Sequence, residues 1–199
     1  MGLFPSEKQI IKLPNAELVY CPGFLSKSEA DYYYELLKSE TDWQQDDITI
    51  FGKTYKQPRL TALYGKNKKT YSYSGITMSP EPFTEALMTL ETKIYSEYNV
   101  SFNTVLLNWY RDGNDSNGWH ADNERELGRD PIIASLSLGE ERPFHFKHRI
   151  LKNERHKLLL EHGSLLIMKN EMQHHWLHQI SKTKKDVSGR INLTFRQIL

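Results

Sequence analysis

Beyond residue 100 the chain reads as seven short strand-like segments separated by polar turns, with no long helical pattern between them. They are Phe102–Arg111, Ile132–Leu138, Phe144–Arg149, Leu158–Leu160, Ser164–Met168, His175–Ile180 and Ile191–Ile198. A short strand cannot bury its apolar side alone, and a run of them closes into a sandwich or jelly roll. The expected fold class is mainly β, α+β overall.

The first hundred residues read differently. Residues 1–25 are extended, interrupted at Pro14 and Pro22-Gly23. Ser26-Lys27-Ser28-Glu29 has capping-box spacing and announces a helix to about Ser39, burying Tyr33, Leu36 and Leu37. Ile48–Phe51 is a strand running into a turn at Gly52. Ser79-Pro80-Glu81-Pro82 reads as the opening of a second helix, since proline is tolerated in a first turn. Its buried stripe is Phe83, Leu87, Leu90 and Ile94, and Asn99 closes it. The expected division is residues 1–100 as N-terminal helices and lid and 101–199 as the core, packed as one compact unit.

Between Phe51 and Tyr73, Lys53, Lys56, Arg59, Lys66, Lys68 and Lys69 occur with no acid among them, interleaved with Tyr55, Tyr64 and Tyr71. Cations reach phosphates and aromatic faces stack bases, so this mixture suits a nucleic-acid groove. A solvated basic loop over core tyrosines is the plain alternative. The formal net charge of 199 residues is +1, so any such groove is a local patch. The single cysteine, Cys21, excludes an internal disulfide. No apolar run approaches membrane-span length, so no membrane partner is expected.

Chemistry concentrates in Asn108–Glu124, where an apolar strand leads through a polar turn to His120-Ala121-Asp122. If strand follows that turn, the imidazole and carboxylate point to one side and can hold a divalent metal. The plain alternative is an aspartate orienting a surface histidine. A third ligand comes from Gln173-His174-His175-Trp176-Leu177-His178, where any of the three histidines could serve. The last strand, Arg190-Ile191-Asn192-Leu193-Thr194-Phe195-Arg196, puts Arg190, Asn192, Thr194 and Arg196 on one face and its apolar residues on the other. Two guanidiniums there suggest a site for a small dianion, with Asn108 and Tyr110 beside it.

Asn-x-Tyr, His-x-Asp, a later His and Arg-x-Asn-x-Thr-x-Arg, in this order over residues 108–196, resemble the AlkB family. Ile50–Lys53 and Thr70–Gly75 are similar to the lid of its branch that repairs duplex DNA. The resemblance implies a double-stranded β-helix (jelly roll) core with N-terminal helices and a nucleotide-recognition lid. It implies Fe(II) held by His120, Asp122 and His178, the last favoured over its neighbours by the Trp176-Leu177-His178 context. It makes Asn108, Tyr110, Arg190, Asn192, Thr194 and Arg196 the 2-oxoglutarate anchors, with Arg190 on the distal carboxylate and Arg196 nearer the metal. The implied reaction uses O2 and 2-oxoglutarate to demethylate N-alkylated bases of the 1-methyladenine and 3-methylcytosine type, giving succinate and formaldehyde. Single- or double-stranded alkylated DNA is the expected partner, RNA the alternative, with Phe51, Arg59, Tyr71, Tyr73, Ser74 and Glu124 as its contacts. No general acid or base is implied. The expected chain is a monomer, cytoplasmic in a bacterium or nuclear in a eukaryote. A metal-binding jelly roll without turnover is the other-class alternative. The departure from the family pattern is bulky Trp119, directly before the first ligand.

Overall fold

The computed structural model describes residues 7–50, 52–67, 71–73 and 76–199, leaving aside the side chains of 50, 71–73 and 76–78. Strands β1 (Gln9–Leu13) and β2 (Ala16–Cys21) form a hairpin whose turn places Asn15 in the left-handed region (φ 58°). Helix α1 (Lys27–Glu40) starts at the capping box, with Ser26 and Glu29 bonding each other's backbone. Its fully buried side chains are Ala30 and Leu37, while Tyr33 and Leu36 only half-bury at the rim. The hairpin β3 (Asp47–Ile50) and β4 (Lys53–Lys56) is followed by β5 (Leu60–Gly65), β6 (Tyr71–Tyr73), β7 (Ile76–Met78) and β8 (Glu81–Pro82).

Helix α2 (Glu85–Tyr98) corrects one expectation. Its N-cap is Thr84, whose hydroxyl accepts from Leu87 N–H, so the prolines do not lie in its first turn. Pro82 belongs to β8 instead, which pairs in parallel with β5 at the sheet edge, where a missing N–H is harmless. Asn99 closes the helix, as expected, and does so in the left-handed conformation.

The remaining strands are β9 (Thr104–Tyr110), β10 (Asn117–His120), β11 (Ile133–Gly139), β12 (Arg142–His148), β13 (Arg155–Leu160), β14 (Leu165–Lys169), β15 (Trp176–Ile180) and β16 (Arg190–Arg196). A single turn, α3 (Met172–His175), precedes β15. The main sheet runs β1-β2-β14-β11-β16-β9-β5-β8 and the smaller one β10-β15-β12-β13. β16 is therefore central rather than an edge strand, and both of its faces are buried.

Strand alternation divides the interior into two cores. Val105, Leu107, Ala134, Leu136, Leu138, Ile191, Leu193 and Phe195 pack in one core with Leu37, Leu87, Leu90 and Ile94 of the helices. Leu106, Tyr110, Leu166, Met168, Phe144, Phe146 and Ile180 fill the second, drawn from both sheets. The alternate positions of β9, β11 and β16 that face this second core are largely polar, and the site lies there. No helix among the described residues is long and apolar enough to cross a membrane.

Candidate active site

His120, Asp122 and His178 come together, with one ligand atom from each inside a 4.8 Å set. β10 pairs with β15 so that His120 lies opposite His178, and their rings meet edge-on at 4.3 Å between centroids. Phe146, opposite His178 on β12, and Phe144, 5.1 Å from its ring, cover it with apolar surface. The strand precedes the pair rather than following it. β10 ends at His120, and Asp122 sits on the loop beyond, held by other means.

Two contacts fix that loop. Gln173, fully buried on α3, accepts the Asp122 N–H at 2.9 Å and is oriented by its own amide on Met168 Sδ at 3.7 Å. Arg196 Nη2 donates to Asp122 Oδ1 at 2.8 Å. Burial pushes the Asp122 carboxyl upward, but the Arg196 guanidinium leads the charges that outweigh it and take it to about 2. Burial also drives His178 down to about 3, so its imidazole is neutral and its lone pair available.

The neighbouring histidines turn elsewhere. His174 Nε2 is 3.2 Å from Asp130 and His175 Nε2 is 3.4 Å from Glu171. His162 bridges the Gly139 N–H and Asp31, and His148 accepts two hairpin N–H groups. Trp119 points away from His120 by strand alternation, its half-exposed ring 4.4 Å from Lys147 Nζ.

The polar face of the central strands lines the same pocket: Asn108, Tyr110, Ser135, Arg190, Asn192, Thr194 and Arg196. Arg190 is 1% exposed, donates Nη2 to Ser137 Oγ at 3.0 Å and lies 5.3 Å from the Tyr110 ring. Its Nε and Nη1 have no hydrogen-bond partner among the described residues. Burial pulls its pKa down to about 10, so it remains charged at neutral pH. A desolvated cation with two idle donors is costly unless an anion completes it. Asn192 spends its amide on Ser135 Oγ and the Leu136 carbonyl, and its own carbonyl accepts from Thr194.

Arg59 is buried rather than on a surface groove. Its Nε donates to Asn108 Oδ1 at 2.7 Å and Nη1 to the Ser116 carbonyl, fixing the pocket wall. Buried Arg142 ties the Asp112, Asp115 and Ser181 carbonyls, clamping the loop before β10 to the one after β15. Glu124, two residues after Asp122, occupies the N-cap position of the 3-10 turn Arg125–Leu127 without a side-chain capping bond. Two lysines of the basic stretch are already neutralised, Lys56 by Asp47 at 2.8 Å and Lys66 by Glu91 at 2.7 Å. Phe51 and Ser74, and the side chains of Tyr71 and Tyr73, lie outside the described residues. Sequence reasoning missed Ser137 and Gln173. The Ser-x-Ser alternation of β11 signals the first, and no local pattern signals the second.

Residues 17–196 match the 2OG-Fe(II) oxygenase superfamily, and the chain belongs to it. It is 42% identical over 187 residues to the Bos taurus alpha-ketoglutarate-dependent dioxygenase alkB homolog 3, covering 89% of this chain but 65% of that protein. It is 38% identical to the Homo sapiens DNA oxidative demethylase ALKBH2 over 183 residues, 87% of this chain and 70% of that one. These relatives place it in the AlkB family. The fold agrees with the solved structure of OsALKBH1, at TM-score 0.62 and 19% identity over 95% of this chain and all of the other.

Proposed function

We propose that the chain is a 2-oxoglutarate-dependent Fe(II) dioxygenase that removes N-alkyl groups from bases of DNA. One observation carries the reading: a buried Arg190 with two donors unpaired among the described residues shares a pocket with the His120–Asp122–His178 group. A metal-binding module has no use for a dianion site beside its metal, whereas this pair suits a metal with a dicarboxylate cosubstrate.

In this reading His120, Asp122 and His178 would hold Fe(II). Arg190 receives the distal carboxylate through Nε and Nη1, oriented by Ser137 and covered by Tyr110. Arg196 keeps Asp122 ionised and, with Asn108, Asn192 and Thr194, frames the rest of the cosubstrate. The chemistry supplied there when Fe(II), 2-oxoglutarate and O2 are bound is oxidation of an N-methyl carbon, with succinate, CO2 and formaldehyde as products. The protein contributes positioning, and no side chain is required as acid or base. The target base must leave its stack to reach the metal. Phe51, Tyr71, Tyr73, Ser74 and Glu124 are proposed as its contacts, with Arg59 acting behind them through Asn108. Alkylated DNA is the proposed substrate because the ALKBH2 relative is named a DNA oxidative demethylase.

Succinate formation on methylated single-stranded DNA tests the assignment. It should require Fe(II), stop on chelation and disappear in Asp122→Ala. Succinate formation that survives Asp122→Ala at ordinary iron concentrations would refute the ligand set.

A further inference from the structure

We infer that Asn117 is a cosubstrate-binding residue that exchanges hydrogen-bond partners as the metal site fills. The inference rests on the dioxygenase reading above and concerns a residue outside its ligand and anchor set.

Asn117 opens β10 and lines the pocket with His120, Asp122, His178 and Arg190. Its Nδ2 lies 3.1 Å from His120 Nε2. The chemistry of the other ring nitrogen settles the direction of that bond. His120 Nδ1 is 2.7 Å from the Gly118 carbonyl, which can only accept, so Nδ1 carries the proton. Nε2 is then the bare nitrogen, and the Asn117 amide donates to it. A bare imidazole nitrogen beside Asp122 and His178 is also the atom a divalent metal takes.

The amide and the metal therefore compete for one lone pair. Once the metal takes it, the Asn117 amide must release His120 Nε2 and can turn that N–H to an oxygen in the same pocket. The keto-acid end of 2-oxoglutarate, brought into this pocket by Arg190, supplies one. Asn117 thus opposes the metal and favours the cosubstrate, and its removal has two effects of opposite sign.

The test uses Mn(II), which binds such sites without turnover, and calorimetry on the full chain. Mn(II) alone is titrated first, and 2-oxoglutarate is then titrated into the Mn(II)-loaded protein without nucleic acid. Asn117→Ala and Asn117→Leu should each bind Mn(II) about 2–10-fold more tightly, as a competing hydrogen bond is lost. Both should bind 2-oxoglutarate about 10–100-fold more weakly, the range for a lost bond to a charged group. Weaker binding in Asn117→Leu alone would mark steric blockage and overturn the inference. Weaker binding of both ligands together with a lowered melting temperature would mark a structural role and overturn it equally. Unchanged 2-oxoglutarate binding in both variants would also overturn it. A wild-type Mn(II) form that fails to bind 2-oxoglutarate would instead bring down the dioxygenase reading itself.

Discussion

Arg196 and Asp122 form an ion pair at 2.8 Å in which both side chains are almost completely buried, at 3% and 2% exposure. A loop and a strand 74 positions apart in the chain meet in this contact, and it joins the proposed anion anchor to the proposed metal ligands. Removing one partner of such a pair strands the other charge in a poor solvent. Arg196→Met should therefore destabilise the metal-free protein by about 3–5 kcal/mol and weaken metal binding. Denaturant unfolding with and without Mn(II) checks both. An unchanged midpoint would mean the pair contributes nothing.

Arg190 should behave in the opposite way. Among the described residues it has no carboxylate partner and meets Ser137 and the Tyr110 ring. Arg190→Met should leave the cosubstrate-free protein at least as stable as the wild type, because an uncompensated buried charge is gone. The same variant should lose the rise in melting temperature that 2-oxoglutarate gives the metal-loaded wild type. The cosubstrate requirement should rise by about 2–5 kcal/mol in binding free energy. Retained 2-oxoglutarate stabilisation would remove Arg190 from the anchor.

The histidine run gives a sharper contrast. His178→Ala should abolish metal binding, while His174→Ala, which breaks a pair with Asp130, and His175→Ala, which breaks a pair with Glu171 and a stack on His148, should leave it within a few-fold of wild type. Metal titration of the three variants decides the assignment.

Acid should unfold the metal-free protein early. His178 is pushed down to about 3 by burial, from an unfolded value near 6.5. Asp122 is held at about 2, against an unfolded value near 3.9. In both windows the unfolded chain binds more protons than the folded one, so stability falls as pH drops. His178 alone contributes up to about 1.4 kcal/mol per pH unit between about 6.5 and 3. Stability measured against pH in wild type and His178→Phe checks this. An equal slope in the two proteins would contradict it.

How far the site was legible depends on whether its residues share a local pattern. β16 was readable because period-two alternation separates Arg190, Asn192, Thr194 and Arg196 from Ile191, Leu193 and Phe195 on one strand. The capping box of α1 and the helix end at Asn99 were readable for the same reason, being local chemistry. The start of α2 was not, because Pro80 and Pro82 imitate a first turn while the cap is Thr84. Nor was the burial of Arg59, whose partner Asn108 lies 49 residues away across the β5–β9 pair. Gln173 reaches Asp122 across 51 residues, from a turn whose sequence gives no sign of it.

The most direct measurement is the mass of a methylated oligonucleotide after incubation with the protein, Fe(II), 2-oxoglutarate and O2. DNA strands carrying one 1-methyladenine or 3-methylcytosine, single- and double-stranded, are compared with RNA of the same sequence. The methyl group should be lost from DNA, with formaldehyde and succinate formed one for one and nothing lost in Asp122→Ala. Succinate formed while every methylated strand keeps its mass, or methyl loss from RNA alone, would contradict it.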